Sequence, residues 1–263
     1  MRRRIGPFAP WEAGYAFDAP VPGPGEVTGP PDFVGVGVQR AGTSWWFSLL
    51  VAHPQVHHRR DLHKERHYFT RYATTRFDED AARGYARWFP RPPGTVTGEW
   101  TPDYVHEQWV LPLLARAAPR ARIFLLLRDP VERLLSGLAH ESIEPSTNLG
   151  SRLADAVGRG RYADALRRVR AAFPDEQVLA VQYEACVANP RARLEEAYRF
   201  LGVDAGFVPD RIGRPVSASA NVKAPLDPEA RARLADFYRE DVSALGELVP
   251  GFDAGLWPNF ALR

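Results

Sequence analysis

Val34-Gly35-Val36-Gly37-Val38-Gln39-Arg40-Ala41-Gly42-Thr43-Ser44 opens as an apolar run, breaks into a glycine turn, and leads into Trp45, Trp46, Leu49 and Leu50 at helical spacing. The pattern predicts a strand from Phe33 to Val38, a loop, and a helix beginning near Ser44. A second unit of the same kind starts at Arg122. Ile123 to Leu127 has the length and flanks of a strand buried on both faces. Arg128-Asp129-Pro130 makes the turn, and Val131, Leu134, Leu135 and Leu138 fall at i, i+3, i+4 and i+7, with Pro130 suited to the first helical turn. Val178 to Val181 is a third strand. Asn189-Pro190 starts a helix with Leu194, Ala197, Tyr198 and Leu201 on one face, and Asp227-Pro228 starts the last one. Strands alternating with helices predict an α/β fold, a central parallel sheet flanked by helices on both faces.

Composition narrows the class. A chain of 263 residues, 45% of them hydrophobic, is enough for one sizeable core. Residues 1–32 are rich in Pro and Gly and follow neither period, so they read as an N-terminal arm, with 33–263 as a single domain. Cys186 is the only cysteine, which excludes an intrachain disulfide and a thiolate zinc cluster and predicts a reducing, cytoplasmic setting. Met1-Arg2-Arg3-Arg4 is followed by Pro7, Pro10 and Glu12 rather than by the apolar run of a secretory signal. The longest aliphatic stretch, Ile123 to Leu127, is far too short to span a bilayer. A formal net charge of +2 argues against a nucleic-acid partner, and lysine occurs only at Lys64 and Lys223. The placing of individual cations therefore carries the information.

Gly37-Val-Gln-Arg-Ala-Gly42-Thr43-Ser44 fits the phosphate-cradling template G-x-x-x-x-G-K-[ST] except at the lysine, which is Thr43. Glycines let backbone N–H groups turn toward an anion, and the following helix adds its positive end. The cation is displaced to Arg40, inside the loop. In the second unit Arg128 stands at the carboxyl end of its strand, where open α/β sheets bind ligands. Glu132, Arg133 and Ser136 lie opposite the apolar stripe of the helix that follows. A glycine turn equally joins a strand to a helix and binds nothing, and an Asp-Pro start equally opens a surface helix with Arg133 in solvent. Two such elements in one sheet point to one ligand with two separate anionic ends.

Gln39-Arg40-Ala41-Gly42-Thr43-Ser44 resembles the 5′-phosphosulfate loop of sulfotransferases that use 3′-phosphoadenosine 5′-phosphosulfate (PAPS). Arg128-Asp-Pro-x-x-Arg133-x-x-Ser136 resembles their 3′-phosphate motif, and the two occur in the family's order. The resemblance implies a P-loop-containing sulfotransferase fold. It implies that Arg128 and Ser136 bind the 3′-phosphate while the loop amides, Thr43 and Ser44 hold the 5′-phosphate, with adenosine 3′,5′-bisphosphate as product. Arg40 stands where many members have lysine. Lys64-Glu65-Arg66-His67-Tyr68-Phe69 looks like the Lys-Glu-x-His-Phe-Phe segment of the branch that includes heparan sulfate and many bacterial carbohydrate and small-molecule sulfotransferases. In that branch the glutamate is the general base, which implies this role for Glu65, with His67 orienting it or the acceptor and Arg40 stabilising the departing phosphate. Thr70 stands where the family often has aspartate. Gly98-Glu99-Trp100-Thr101-Pro102-x-Tyr104 is similar to Glu-Lys-Thr-Pro-x-Tyr, with Trp100 replacing a lysine that acts in some relatives. Arg214, Asn221 and Lys223 fall where relatives close a basic loop over the cofactor; a surface loop is the equal alternative.

The reaction implied is in-line transfer of a sulfuryl group to a hydroxyl of a carbohydrate or small molecule, with no metal. Two other readings of the same residues stand beside it. One is a P-loop nucleotide kinase with Asp129 as a magnesium ligand, and the other is a non-catalytic nucleotide-binding module. His63 and His67, four apart, conceivably pair on a metal, but no third ligand accompanies them. Trp45, Trp46, Tyr68, Tyr72, Trp88, Trp100, Tyr104 and Trp109 are possible stacking faces for an acceptor, most of them expected in the core. The stretch from Glu141 to Tyr162 is a candidate acceptor lid.

Overall fold

The computed structural model describes residues 19–140, 149–212 and 226–261. Within them, five strands make one parallel sheet: β1 Phe33–Gly37, β2 Val56–His57, β3 Val96–Trp100, β4 Arg122–Leu127 and β5 Val178–Gln182. Their spatial order is β2-β3-β1-β4-β5. Parallel neighbours require crossovers, which the helices provide: α1 Thr43–Leu50, α2 Glu79–Ala86, α3 Val110–Ala117, α4 Pro130–His140, α5 Leu149–Gly158, α6 Tyr162–Ala172, α7 Tyr183–Ala188, α8 Pro190–Leu201 and α9 Pro228–Leu248. From β1 the chain goes to β2 and β3 on one side and to β4 and β5 on the other. The crevice outside the carboxyl ends of the strands therefore opens at the end of β1, where the order reverses.

The strands read from apolar runs are the ones that form the middle of the sheet. All five residues of β1 and five of the six in β4 are buried. β1 is kept thin for a reason. A Cβ on Gly35 would stand 2.0 Å from Cδ2 of Trp100, whose fully buried indole lies across β1 and donates from Nε1 to the Gly37 carbonyl at 3.1 Å. The expected helix starts are also present. Asp129 Oδ1 accepts from the backbone N of Val131 at 2.9 Å and of Glu132 at 3.2 Å, and Asn189 and Asp227 cap α8 and α9 through Ala192 N and Ala230 N.

β2 and β3 have no counterpart in the sequence reading. β2 is two residues long, and β3 is Val-Thr-Gly-Glu-Trp, whose glycine and glutamate break both the apolar run and the alternation. The stretch read as an arm is bonded to the sheet over its last residues. Val27 pairs antiparallel with Arg91, Asp32 N donates to Thr97 O at 2.8 Å, and Arg91 pairs with Asp32 at 3.2 Å. No helix among the described residues is long and apolar enough to cross a membrane.

Candidate active site

The turn after β1 is shaped to leave donors free. Arg40 and Gly42 both have left-handed backbones, with φ of 68° and 86°. A side chain at Gly42 would also run into Tyr183, whose Cε2 lies 2.5 Å from the place of a Cβ. Gly42 begins α1 without any side-chain cap, so the first N–H groups of the helix, those of Thr43 and Ser44 among them, have no intrahelical acceptor. Thr43 is buried and Ser44 exposed. Ala41 is buried and its N–H donates to Val38 O at 3.3 Å, so it shapes the loop from inside; Gln39 is half-buried beside it.

The two segments expected to bind anions meet here. Arg40 Nε donates to Ser136 Oγ at 3.3 Å across 96 residues of sequence, and Arg128 Nη1 donates to the carbonyl of Arg40 at 3.0 Å. The Arg128 guanidinium lies over the Tyr183 ring, 5.2 Å from its centre. Burial and then the charge of Arg128 hold Arg40 below the ordinary arginine range. Two cations are thus kept side by side, neither with a carboxylate partner among the described residues, and Arg128 Nε is buried with no hydrogen-bond partner. Like charges so placed are stabilised by an anion between them. Asn221 and Lys223, with Arg214, lie outside the described residues.

Asp129 is spent elsewhere. Its Oδ1 caps α4, and its Oδ2 accepts from both N and Nδ2 of Asn259, at 3.0 and 2.8 Å. Its own N–H donates to Glu184, which also accepts from Trp257 Nε1. Asp129 therefore ties the C-terminal segment to the start of α4, and it is fully buried.

On the β3 side, Glu65 carries the converging partners. Lys64 Nζ donates to Oε1 at 2.7 Å and to the carbonyl of Trp100 at 3.3 Å, and His67 Nε2 lies 3.2 Å from Oε2. An ionised carboxylate only accepts, so Nε2 bears the proton of that bond. Burial alone raises Glu65, but the hydrogen bond from His67 and the charge and hydrogen bond of Lys64 outweigh it and bring the carboxyl down to about 2. Trp100 joins this group to the loop after β1: its N–H donates to Lys64 O at 2.9 Å and its indole to Gly37 O. Residues 61–66 make no helix, so the four-apart spacing of His63 and His67 does not place their rings on one helical face, and His63 Nδ1 accepts from Glu65 N at 3.2 Å.

Residues 64–207, more than half of the chain, match the model of the sulfotransferase family. The chain belongs to that family. Among its relatives, heparan sulfate glucosamine 3-O-sulfotransferase 6 of Mus musculus is 29% identical over 196 residues, covering 69% of this chain and 54% of that protein. The membrane-associated sulfotransferase kil1 of Dictyostelium discoideum is 33% identical over 116 residues, 44% of this chain and 24% of that one. Human bifunctional heparan sulfate N-deacetylase/N-sulfotransferase 3 is 26% identical over 201 residues, 66% and 22%. The chain thus spans between about a fifth and about a half of the length of these curated relatives. A solved sulfotransferase from Alicyclobacillus acidocaldarius shares the fold, with a TM-score of 0.67 at 24% identity over 86% of this chain and 98% of that one.

Several residues of this sulfotransferase-family chain stand elsewhere than the sequence suggested. Arg133, placed by the helical wheel on the polar side of α4, is 1% exposed and donates to the carbonyl of Ala156 in α5. The polar side of α4 is covered by another helix. Burial, and then the charges of Arg159, Arg133 and Arg168, push His106 down to about 3. Tyr183, the first residue of α7, covers both Gly42 and Arg128. Thr70 donates to the carboxylate of Glu107 at 2.9 and 3.1 Å, so an acidic group reaches that position from another part of the chain. Trp45, Trp46, Tyr68, Trp88, Trp100 and Tyr104 are buried; Tyr72 is half-buried and Trp109 exposed. Of the candidate lid, residues 141–148 lie outside the described residues and α5 fills the next ten.

Proposed function

We propose that this chain transfers a sulfuryl group from PAPS to a hydroxyl of a carbohydrate or small-molecule acceptor, with Glu65 as general base. The observation that carries the reading is the pairing, at the mouth of one sheet, of a carboxylate fixed by two donors with an anion cradle. The donor set suits a nucleotide with phosphate at both ends. Arg128 and the Ser136 hydroxyl take the 3′-phosphate, Ser136 still having its proton to donate while it accepts from Arg40. The open N–H groups of Thr43 and Ser44 take the 5′ end, with Arg40 Nη groups and the loop amides stabilising charge on the departing phosphate. PAPS supplies the activated sulfuryl group. Glu65, ionised at neutral pH, accepts the acceptor's hydroxyl proton as the new sulfur–oxygen bond forms and the old one breaks, and His67 orients it. A carboxylate held near 2 is a weak base, and Lys64 is the donor whose withdrawal toward a bound sulfuryl oxygen strengthens it when the proton moves. The heparan sulfate relatives support a carbohydrate as one acceptor class.

The kinase reading loses its magnesium ligand, since both carboxylate oxygens of Asp129 are committed to backbone and Asn259 donors. Calorimetric titration separates the readings. Binding of adenosine 3′,5′-bisphosphate without magnesium, with weaker or no binding of magnesium-ATP, is expected; preference for magnesium-ATP overturns the proposal.

A further inference from the structure

The loop that carries Glu65 has no regular secondary structure. Residues 63–67 form no helix or strand, and His67 sits in the left-handed region at φ 49°, a conformation that non-glycine residues hold only when their surroundings impose it. The imposing groups come from the end of β3, more than thirty residues away. Glu99 is fully buried. Its Oε2 accepts from Arg66 N at 3.1 Å and from the Thr101 hydroxyl at 2.6 Å, and its Oε1 accepts from the Tyr85 and Tyr104 hydroxyls at 2.6 and 3.3 Å. Thr101 Oγ1 in turn accepts from Arg66 N at 2.9 Å and from His67 N at 3.5 Å, and Tyr104 Oη accepts from Tyr68 N at 2.9 Å. Three consecutive amides, 66 to 68, thus donate into one carboxylate–hydroxyl network. Burial raises the Glu99 carboxyl; the hydrogen bonds from Thr101 and Tyr85 and the buried Arg66 guanidinium, near Trp88 and Phe89, work against that.

We infer that Glu99 and Thr101 are positioning residues for the Glu65–His67 pair: they do not face the reacting atoms but fix the backbone on which both side chains stand. The inference rests on the reading of Glu65 as the base, and it assigns to the Glu-x-Thr at the end of β3 a role apart from that of position 100. A carboxylate of this kind on a loop has to be held within tenths of an ångström of its productive position, and misplacement by about 1 Å costs on the order of 10²-fold in rate. Thr101→Val keeps the shape and removes both the acceptor for His67 N and a donor to Glu99. Thr101→Ser keeps the hydroxyl.

The test compares Thr101→Val, Thr101→Ser, Glu99→Gln and Glu65→Gln in the full chain. It reads amide hydrogen exchange of the peptide spanning 64–69, kcat and KM for PAPS, and affinity for adenosine 3′,5′-bisphosphate. Thr101→Val and Glu99→Gln are expected to speed exchange at 64–69 without changing that of β4, and to lower kcat on the order of 10²-fold with KM for PAPS within about twofold. Thr101→Ser is expected to restore both. If Glu99→Gln does not fold, the Thr101 pair decides. Unchanged exchange at 64–69 in Thr101→Val, a kcat equal to that of the parent chain, or a matching loss of nucleotide affinity overturns the positioning role. Full activity in Glu65→Gln overturns the base assignment instead, and the exchange measurement then still decides whether the network holds the loop.

Discussion

Replacing Glu65 by glutamine removes the charge on which Lys64 and His67 converge while keeping the side chain's length. The carboxyl stands at about 2 in the folded chain against an ordinary 4.5. At 1.36 kcal/mol for each pH unit of difference, the ionised form stabilises the fold by about 3 kcal/mol. The side chain is 20% exposed, and screening by that water reduces the expected effect to about 2 kcal/mol. The sign follows from the direction. A carboxyl depressed in the folded state contributes fully above its unfolded value and loses the contribution as pH falls through the folded one. Urea unfolding of the parent chain and Glu65→Gln should therefore differ by about 2 kcal/mol at pH 7, nearly as much at pH 5, and about half as much near pH 3. A difference that stays constant from pH 7 to pH 3 would refute the idea that Lys64 and His67 hold an ionised Glu65. In the transfer reaction the same variant should lose about 10²- to 10⁴-fold in kcat, the usual range for a missing general base.

Four further substitutions probe the cradle and its supports. Arg128→Ala should weaken binding of adenosine 3′,5′-bisphosphate by about 2 kcal/mol or more in calorimetry, with a smaller loss for Ser136→Ala, because a charge-assisted contact outweighs a neutral one. Gly42→Ala meets both a left-handed φ and Tyr183 Cε2 at 2.5 Å; a lowered melting temperature and loss of nucleotide binding together are expected, and an unchanged nucleotide affinity would contradict the loop's role. Trp100→Phe leaves the Gly37 carbonyl without its indole donor, which should cost about 1–3 kcal/mol in chemical unfolding.

What the sequence disclosed was what is local. β1, β4 and β5 announce themselves because each is a short apolar run with turn residues on both sides, and α4, α8 and α9 because Asp129, Asn189 and Asp227 precede a proline or an apolar period. β3 was hidden because Glu99 interrupts it; its burial makes sense only once the amides of residues 66–68 are seen to donate toward it, contacts no window of neighbouring residues contains. Arg133 was misplaced for a related reason. A helical wheel separates apolar from polar positions but does not say that a second helix covers the polar side. The candidate site was proposed from two motifs and a carboxylate with their flanking residues, whereas the contact of Arg40 with Ser136 and the bridge that Trp100 makes between Glu65's loop and β1 depend on the order of strands in the sheet.

The central claim is tested most directly by incubating the chain with PAPS labelled in its sulfate and a panel of hydroxylated carbohydrates and small molecules, without divalent metal. The account predicts label on an acceptor hydroxyl and one adenosine 3′,5′-bisphosphate released for each sulfate transferred, both largely lost in Glu65→Gln. Transfer that survives undiminished in that variant, or a chain that leaves sulfate unmoved while passing phosphate from magnesium-ATP, would contradict it.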